Sequence, residues 1–386
     1  MWDHSRHWRE PPGCCKLPFL MKAVVLVGGQ GSRLRPITYD VPKAMVPLRN
    51  QPFIGYMLDF LRVGCLEGAV LSLGYLPDPI QEYLADQDLD GFSIVYAVED
   101  HPLGTAGGIK NAEGYLDDEP VVVVNGDVLS GMDLRVPIAR HKESDSLATI
   151  TLTSVEDPTA YGLVEVDHEM VVHRFIEKPA ADEVSTNLVN AGVYILEPEV
   201  LGMIPAGAEV SIEREIFPYL QAEGRLRAYV SSSYWRDIGT PKSYLAASHD
   251  VLSGAVGARG DFDYLQVHTS TVVGKGVKIL PPVSVAAGCV LEAGATVGGR
   301  SSLGYGCKIG AGAVVEGSIL LDGVEIEAGT VIRGSIIGPN ARVGQEAIVR
   351  GLSVLGAGCV IGEGNILDQG IRINPGVILP PRSMSF

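Results

Sequence analysis

A glycine-rich loop that also carries several cations follows the first apolar run of the sequence. It reads LVGGQGSRLRPITYDVPKAMVP (Leu26–Pro47), with three glycines near its start and two arginines and a lysine after them. Backbone N–H groups in a glycine-rich turn after a strand can surround phosphate oxygens. Arg33 adds a planar guanidinium and Lys43 a compact point charge, and two cations beside such a turn suit a triphosphate better than a monophosphate. The loop therefore predicts a polyphosphate-binding site.

Two common phosphate-binding motifs do not fit this loop. A Walker A loop ends in Gly-Lys-Ser or Gly-Lys-Thr, whereas this loop continues as Ser32-Arg33-Leu34. A dinucleotide-binding fingerprint needs a further glycine three residues after Gly31, and Leu34 stands there instead. Because glycines at a tight turn are usually structural, the prediction depends on the arginine and the lysine beside them.

Two aspartates stand where a metal ion could be held. The run VVVVNGDVL (Val121–Leu129) has the pattern of a buried strand that ends in Asn-Gly-Asp, which places Asp127 at its carboxyl end. From the residues alone, this carboxylate is either a loop cap or a metal ligand. Asp237, in YWRDIGTP, precedes a glycine turn and a helix that opens at Thr240-Pro241. Two carboxylates together with phosphate oxygens would satisfy Mg²⁺.

The elements around these residues predict an α/β sheet between Met21 and about Leu252. The predicted strands, rich in valine, isoleucine and leucine, are Ala23–Val27, Gly68–Leu73, Phe92–Val98 and Pro120–Val124. The predicted helices are Phe53–Val63, Pro79–Ala85 and Ala106–Leu116. This alternation predicts a parallel, doubly wound sheet, in which ligands bind at the carboxyl ends of the strands. The glycine loop falls at such an end.

The second half of the chain repeats with a period of six residues. Aliphatic residues recur in unbroken register at Val273, Ile279, Val285, Leu291, Val297, Leu303, Ile309 and Val315. The register slips near Leu320-Leu321 and resumes at Ile326, Ile332, Ile337, Val343 and Val349. A hexapeptide period predicts a β-helix with stacked inward aliphatics. Because three hexapeptides complete one coil, Cys289 and Cys307 should stack one coil apart, unpaired.

Composition excludes several classes of protein. The formal net charge of −16 over 386 residues argues against a nucleic-acid partner, which would require a broad basic surface. No apolar run approaches the roughly 18 residues that a membrane span needs. None of the six cysteines forms a C-x-x-C pair, and this usage favours a reducing cytoplasm.

These patterns divide the chain into four segments. Residues 1–20 lack the apolar core of a secretory signal, and we predict a disordered extension before the second methionine, Met21. Residues 21–252 form the predicted catalytic domain and residues 253–263 a linker. Residues 264–386 form the predicted β-helix, which serves as a scaffold or an interface for self-association.

Residues from Met21 to about Ser248 resemble the nucleotide-sugar pyrophosphorylases, or sugar-1-phosphate nucleotidyltransferases. The family pattern G-G-x-G-[ST]-R-L-x-P followed by P-K matches Gly28–Pro36 and Pro42-Lys43. Further blocks follow in order: YGLVEVD, FIEKP, NAGVYIL and SIEREIFP. LGTAGGIKNA, SIEREIFP and WRDIGTPKSYL are most similar to the mannose-1-phosphate guanylyltransferase subgroup, which also carries a C-terminal left-handed β-helix. The resemblance implies a Rossmann-like mixed sheet followed by that β-helix.

The resemblance also implies a role for each matching residue. The implied nucleotide-binding residues are Leu26, Gly28, Gly29, Gly31, Ser32, Arg33, Gly104, Thr105, Ala106 and Asp127. The implied sugar-phosphate-binding residues are Gly162, Glu177, Lys178 and Asn190. Mg²⁺ would be held by Asp127 and Asp237, and the implied catalytic residues are Arg33, Lys43, Asp127, Lys178 and Asp237.

The implied reaction joins a sugar 1-phosphate to the α-phosphorus of a nucleoside triphosphate and expels pyrophosphate. GTP and mannose 1-phosphate are the favoured pair, with glucose-1-phosphate uridylyl-, thymidylyl- or adenylyltransferase as alternatives. A non-catalytic regulatory subunit is an alternative of another class, although such a chain would be expected to lose phosphate-binding or metal residues. Acyl transfer by the β-helix is disfavoured because the last histidine, His268, precedes the regular repeat.

Overall fold

The computed structural model of the chain describes residues 21–89, 91–256 and 262–385. The predicted N-terminal extension lies outside these residues, as does part of the predicted linker. The described residues form two compact units. The sheet unit comprises residues 21–30 and Ile54–Trp235, and the β-helix unit comprises Gly31–Phe53 together with residues 236–385. The loop that carries Arg33 and Lys43 thus belongs to the same unit as the C-terminal β-helix.

A nine-stranded mixed sheet forms the centre of the sheet unit. Its strands are β1 (Lys22–Leu26), β2 (Gly68–Leu73), β3 (Ser93–Val98), β4 (Val121–Asn125), β5 (Ala148–Ser154), β6 (Gly162–Val166), β7 (Val172–Glu177), β8 (Leu188–Leu196) and β9 (Leu226–Val230). The main strand order is β7-β6-β8-β4-β1-β2-β3, and β5 pairs with both β8 and β9. Strands β1 to β4 are parallel to one another where they pair, whereas β8 runs antiparallel to β4, β5 and β6. This is the Rossmann-like mixed sheet that the resemblance implies, whereas the strand–helix alternation alone predicts a parallel sheet and misses the antiparallel pairs of β6, β7 and β8.

In the part of the chain that the structure describes, seven helices accompany the sheet. They are α1 (Phe53–Val63), α2 (Asp78–Ala85), α3 (Gly104–Ala112), α4 (Arg135–Lys142), α5 (Pro198–Gly202), α6 (Phe217–Ala222) and α7 (Pro241–Leu252). Of these, the sequence predicts α1, α2, α3 and the start of α7. Predicted and observed ends differ by at most two residues, except that the helix predicted to reach Leu116 ends at Ala112 and continues as one 3₁₀ turn, Glu113–Tyr115. Membrane spanning requires a long apolar helix, and none of the helices in the described residues meets that requirement.

Buried valines explain why β4 lies in the middle of the sheet. Val121–Val124 are at most 3% exposed, as expected for a strand covered on both faces by other elements. Asn125, the last residue of this strand, is the first that is partly exposed. The sequence therefore turns from apolar to polar where the strand reaches the edge of the sheet.

Three parallel sheets build the β-helix. Sheet 1 contains Leu265–Val267, Val283–Val285, Ser301–Leu303, Ile319–Leu320, Ile336–Ile337, Val354–Leu355 and Arg372–Ile373. Sheet 2 contains Val272–Val273, Val290–Leu291, Lys308–Ile309, Glu325–Ile326, Arg342–Val343, Val360–Ile361 and Ile378–Leu379. Sheet 3 contains Lys278–Leu280, Thr296–Gly298, Val314–Glu316, Val331–Arg333, Ile348–Val349 and Ile366–Leu367.

Inward aliphatic residues of successive coils form the β-helix core, as the hexapeptide period predicts. From Val285 onwards every aliphatic residue of the predicted series is buried. The first, Val273, pairs in register with the inward Leu291 but is itself 49% exposed and lies outside the buried core. Among the described residues its strand pairs only with the strand of Leu291, at the end of sheet 2, so no described coil covers its other side.

The predicted slip in the repeat corresponds to two shorter coils. In sheet 2, Ile309 pairs with Ile326 and Ile326 pairs with Val343, a step of 17 residues instead of 18. Cys289 and Cys307 lie in neighbouring coils, both fully buried and both free thiols. The prediction that they stack unpaired is confirmed.

Candidate active site

Gly31 shapes the loop of the β-helix unit that carries Arg33 and Lys43. It has a φ of +60° and precedes the short 3₁₀ helix Ser32–Leu34. A Cβ at this position would lie 3.2 Å from Cβ of Lys43 and 3.3 Å from Cγ2 of Thr38. The Thr38 hydroxyl donates a hydrogen bond of 2.8 Å to the carbonyl of Gly31. Both the backbone conformation and the close approach therefore require glycine here.

Arg33 and Asp237 approach each other within the β-helix unit. Nη2 of Arg33 lies 3.8 Å from Oδ2 of Asp237, and the two side chains are 58% and 15% exposed. The backbone N–H of Gly239 donates to Oδ1 of Asp237 over 2.6 Å. A Cβ at Gly239 would lie 2.7 Å from Nη2 of Arg33. The glycine turn after Asp237 thus leaves the space in which the guanidinium lies.

Helix α7 begins directly after this turn. Thr240 is its N-cap: its Oγ1 accepts from Ser243 N at 3.1 Å, and its own N–H donates to Oγ of Ser243 at 3.0 Å. Pro241 occupies the first helical position, where no N–H is needed. The local sequence Asp-Ile-Gly-Thr-Pro therefore fixes where Asp237 lies relative to the helix start.

Asp127 lies in the sheet unit, two residues beyond the last residue of β4. The N–H of the intervening Gly126 donates to the carbonyl of Leu26 over 2.9 Å. A Cβ at Gly126 would clash with that carbonyl, so the Asn-Gly-Asp sequence allows β4 and β1 to approach closely at their carboxyl ends. The Oδ1 atom of Asn125 is buried and accepts no hydrogen bond from the described residues.

Glu99 is a residue that the sequence reasoning missed. It follows β3 and accepts from Oγ of Ser72 at 2.7 Å and from N of Leu103 at 3.3 Å. A Cβ at Gly28 would lie 3.1 Å from its Oε1 atom. The signal for it was its position at the carboxyl end of a strand two places from β1, where the doubly wound sheet predicts ligand-binding residues.

The Gly104-Thr105-Ala106 segment opens α3 and is held by Val210 and by the first two residues of the π-helical turn Ile212–Ile216. Gly104 has a φ of +69°, and a Cβ there would lie 2.6 Å from O of Val210. The Thr105 hydroxyl accepts from N of Ile212 at 2.9 Å and donates to Oε2 of Glu213 at 2.7 Å. The SIEREIFP block thus supports the segment to which the resemblance assigns the base.

Tyr194 connects Asn190 to the same glutamate. The side-chain amide of Asn190 donates to the Tyr194 hydroxyl at 2.8 Å, and that hydroxyl donates to Oε1 of Glu213 at 3.3 Å. The Tyr194 side chain is fully buried, and burial, followed by the charge of Glu213, raises the pKa of its hydroxyl well above the ordinary value. A neutral phenol at this position can both accept and donate, as the chain of bonds requires.

Gly162, Glu177 and Lys178 are brought together by two paired strands. Gly162 in β6 pairs with Glu177 in β7, and a Cβ at Gly162 would lie 3.0 Å from Oε2 of Glu177. Lys178 has a φ of +54°, and its N–H donates to O of Tyr161 at 3.0 Å. A lysine in the left-handed region is uncommon, and such strain concentrates at functional positions.

The structure therefore joins the predicted residues in small groups. Arg33 lies with Asp237, Gly31 with Lys43, Gly162 with Glu177 and Lys178, and Thr105 with Asn190 through Glu213 and Tyr194. Asp127 belongs to the sheet unit and Asp237 to the β-helix unit. Within the described residues, no group of three or more histidine, cysteine, aspartate or glutamate side chains could hold a metal.

Comparison with known families identifies the chain's relatives. Residues 22–254 match the nucleotidyl transferase family, and residues 279–385 match the GMPPB C-terminal domain. The chain belongs to the nucleotidyl transferase family. It is 40% identical over 298 residues to a mannose-1-phosphate guanylyltransferase of Mycobacterium tuberculosis, covering 70% of this chain and 82% of that relative. A probable mannose-1-phosphate guanylyltransferase 3 of Oryza sativa is 37% identical over 71% of this chain and 79% of its own length.

Two solved structures of another protein are similar in fold to this chain. HddC from Yersinia pseudotuberculosis is 31% identical with a TM-score of 0.52, covering 60% of this chain and 99% of its own. A second structure of HddC, complexed with GMP-PN, is 29% identical with a TM-score of 0.51 and the same coverage. The chain is therefore a nucleotidyltransferase by family and by fold.

Proposed function

We propose that this enzyme transfers a guanylyl group from GTP to mannose 1-phosphate, forming GDP-mannose and releasing pyrophosphate. The observation that carries the proposal is the 40% identity to a mannose-1-phosphate guanylyltransferase, of which the chain covers 82%. The GMP-PN complex of HddC supports a guanine nucleotide as the donor. In the reaction, a phosphate oxygen of the sugar 1-phosphate forms a bond to the α-phosphorus, and the bond from that phosphorus to the β-phosphate's bridging oxygen breaks.

The residues around the glycine loop are proposed to bind the triphosphate. Backbone groups of Leu26, Gly28, Gly29, Gly31 and Ser32 contact the nucleotide, and Arg33 binds the β- and γ-phosphates. Lys43 lies beside the phosphates that react. Arg33 suits this role because its guanidinium is 58% exposed although it lies near a carboxylate. Its planar fork can pair with two phosphate oxygens at once.

Residues of the sheet unit are proposed to select base and sugar. Gly104, Thr105 and Ala106 line the base pocket, supported by their bonds to Val210, Ile212 and Glu213. Gly162, Glu177 and Asn190 contact sugar hydroxyls, and Lys178 binds the phosphate of the sugar 1-phosphate. The Lys178 side chain is exposed and therefore accessible to an anion.

Asp127 and Asp237 are proposed to hold Mg²⁺. Their carboxylates, together with the buried and unpartnered Oδ1 of Asn125, are oxygen donors of the type that Mg²⁺ prefers. This ion commonly takes one or two protein carboxylates and completes its shell with waters and substrate phosphates. When bound, it would neutralise negative charge on the phosphates.

The chain's own residues then have two tasks. The nucleophile is already an anion at neutral pH, so no general base is required. Arg33, Lys43 and Lys178 reduce the repulsion between two highly charged anions and hold them in line. Removing one such group is expected to reduce the rate by about 10²–10³-fold, by analogy with single oxyanion donors.

The test is pyrophosphate release with Mg²⁺ from a matrix of GTP, UTP, dTTP and ATP against the 1-phosphates of mannose, glucose and N-acetylglucosamine. We expect one preferred pair, GTP with mannose 1-phosphate, and loss of activity in Asp127→Ala but not in Asp86→Ala, an exposed aspartate. Preference for another base would replace the substrate assignment within the same reaction. No release from any pair by folded protein would favour the regulatory-subunit alternative.

A further inference from the structure

Arg372, in the last coil of sheet 1, contacts the backbone of the glycine loop inside the β-helix unit. Its Nη1 atom donates to O of Arg33 and to O of Arg35, over 3.2 Å in each case. The local backbone bonds of this turn run from Leu34 and Arg35 to the carbonyls of Gly31 and Ser32. Arg372 thus binds two carbonyls at the end of the turn, where the 3₁₀ helix leaves its last acceptors unused.

Sheet 1 also holds the other end of the same segment. Nδ2 of Asn50 donates to O of Leu303 at 2.9 Å, and Oγ of Ser302 donates to Oδ1 of Asn50 at 3.0 Å. The same amide nitrogen lies 3.1 Å from Oγ of Ser284, so the segment 31–50 is attached to the second and third coils at Asn50 and to the seventh coil at Arg33 and Arg35.

Helix α7 holds the middle of this segment. The hydroxyl of Tyr244 donates to O of Pro47 over 2.7 Å, and its ring is fully buried. The C-terminal part of the chain thus holds this segment at Asn50, at Pro47 and at the end of its 3₁₀ turn, and Arg372 makes the contact to the backbone of Arg33.

We propose that Arg372 is a positioning residue for nucleotide binding, because it fixes the backbone from which the Arg33 guanidinium extends. This inference rests on the proposed role of Arg33. Arg372 is an exposed side chain, and the hydrogen bonds that it makes in the described residues go to two carbonyls at the end of the proposed phosphate-binding turn. If the Arg372 side chain is removed, the loop populates other conformations. The apparent affinity for the nucleotide then falls in proportion to the fraction of molecules whose loop is in the binding-competent conformation.

The geometry makes a specific demand on the side chain. Both bonds come from one nitrogen, Nη1, so the bidentate fork of arginine is not used. A lysine ammonium, which has three donors on one atom, can make the same two bonds. Arg372→Lys should therefore still fix the backbone of the loop, whereas Arg372→Ala should not.

The first experiment measures amide hydrogen exchange by mass spectrometry in peptides that cover residues 31–39, without any substrate. We expect faster exchange there in Arg372→Ala and wild-type rates in Arg372→Lys. The matched control is Arg342→Ala, which removes an exposed arginine of sheet 2 that pairs with Glu325 of the β-helix over 3.1 Å. Unchanged exchange of residues 31–39 in Arg372→Ala would overturn the proposal, as would faster exchange spread over the whole β-helix.

The second experiment compares kinetic constants in the same variants. We expect the KM for the nucleotide to rise about tenfold in Arg372→Ala, with kcat and the KM for the sugar phosphate within about twofold of wild type. An equal change of both KM values would contradict the inference. If the wild-type protein transfers no nucleotide, the proposed function fails, while the exchange experiment still decides whether Arg372 orders the loop.

Discussion

The hydroxyl of Tyr194 lies 3.3 Å from Oε1 of Glu213, and the other oxygen of that carboxylate accepts a hydrogen bond from Thr105. Asn190 donates to the same tyrosine hydroxyl, so one buried phenol and one carboxylate connect the proposed base pocket to the proposed sugar site. A network of this kind orients its members only while every bond is made. Tyr194 and Glu213 lie in the blocks NAGVYIL and SIEREIFP, but only the folded chain shows that they bond to each other and to Thr105.

Replacing Tyr194 by phenylalanine should lower the stability of the fold and, in addition, weaken binding of the sugar 1-phosphate selectively. The change leaves Asn190 and Glu213 without their shared partner, which we expect to lower the free energy of unfolding by about 1–3 kcal/mol. Because the side-chain amide of Asn190 then keeps, among the described residues, only its bond from the N–H of Gly192, it is held less firmly, and the KM for the sugar 1-phosphate should rise more than the KM for the nucleotide. Denaturant unfolding and steady-state kinetics measure the two effects.

Tyr244→Phe is the matched control for that prediction. This tyrosine is also fully buried, and its hydroxyl donates to the carbonyl of Pro47. The Tyr244→Phe variant should therefore lose a similar free energy of unfolding, without a selective change in the KM for the sugar 1-phosphate. Equal kinetic effects of the two substitutions would show that the Tyr194 network has no orienting role.

Replacing Asp237 by asparagine should abolish transfer while the fold remains. The amide keeps the acceptor for the N–H of Gly239 but removes the negative charge beside Arg33 and the proposed metal ligand. We expect a loss of about 10²–10³-fold in kcat/KM, by analogy with removal of a single stabilising group. Asp40→Asn, an exposed carboxylate of the same loop, should behave as wild type. Activity of Asp237→Asn within a few-fold of wild type would remove Asp237 from the catalytic set.

Lys178→Gly tests whether the side chain carried on this left-handed backbone serves function. A side chain in the left-handed region costs roughly 1–2 kcal/mol, and glycine removes that cost but loses more entropy on folding, by about 0.5–1 kcal/mol. The free energy of unfolding should therefore change by no more than about 1 kcal/mol, while transfer falls by at least about 10²-fold. Met170→Gly is the control, because Met170 has a similar φ of +64° in a turn of the same unit. Equal activities of the two variants would exclude a role for the Lys178 ammonium.

The secondary structure was predictable because its signals are local. The four valines of β4, the six-residue period and the Thr-Pro start of α7 each depend on neighbouring residues, and each predicted element is present. The two 17-residue coils were also visible, as a slip in the register of aliphatic residues. The exposure of Val273 could not be predicted in this way. Burial in a β-helix depends on whether a further coil lies on each side of a residue, and the six-residue period carries no information about that.

The support of the candidate site was less predictable than its motifs. Arg33 and Asp237 are distant in sequence, and only the folded chain shows that their side chains approach each other. Glu99, Glu213 and Tyr194 act through tertiary hydrogen bonds, which leave no periodic signal in the sequence. Arg372 is one exposed arginine in a strand of two residues, and nothing beside it in the chain indicates that it contacts a loop more than three hundred residues earlier.

Buried His141 should make the sheet unit sensitive to mild acid. Its side chain has no solvent exposure, and Nδ1 and Nε2 lie 2.8 Å from Oγ1 of Thr149 and 3.1 Å from Oε1 of Glu197. Burial, followed by the charge of Lys142, lowers the pKa of His141 from 6.5 to about 4. Between these two pH values His141 is protonated in the unfolded chain but neutral in the folded chain. The free energy of unfolding therefore decreases as the pH falls through this window, by about 2 kcal/mol between pH 7 and pH 5.

His141→Gln should remove most of this pH dependence. Glutamine keeps a polar group for Thr149 or Glu197 but does not titrate, so the variant should be less stable than wild type at pH 7 and closer to it at pH 5. Burial raises the pKa of Glu197, which has the opposite effect on acid sensitivity, and this carboxyl remains in the variant. Urea unfolding at both pH values measures the difference, with His168→Gln as the control because that side chain is 91% exposed. A pH dependence as steep in His141→Gln as in wild type would mean that another group is responsible.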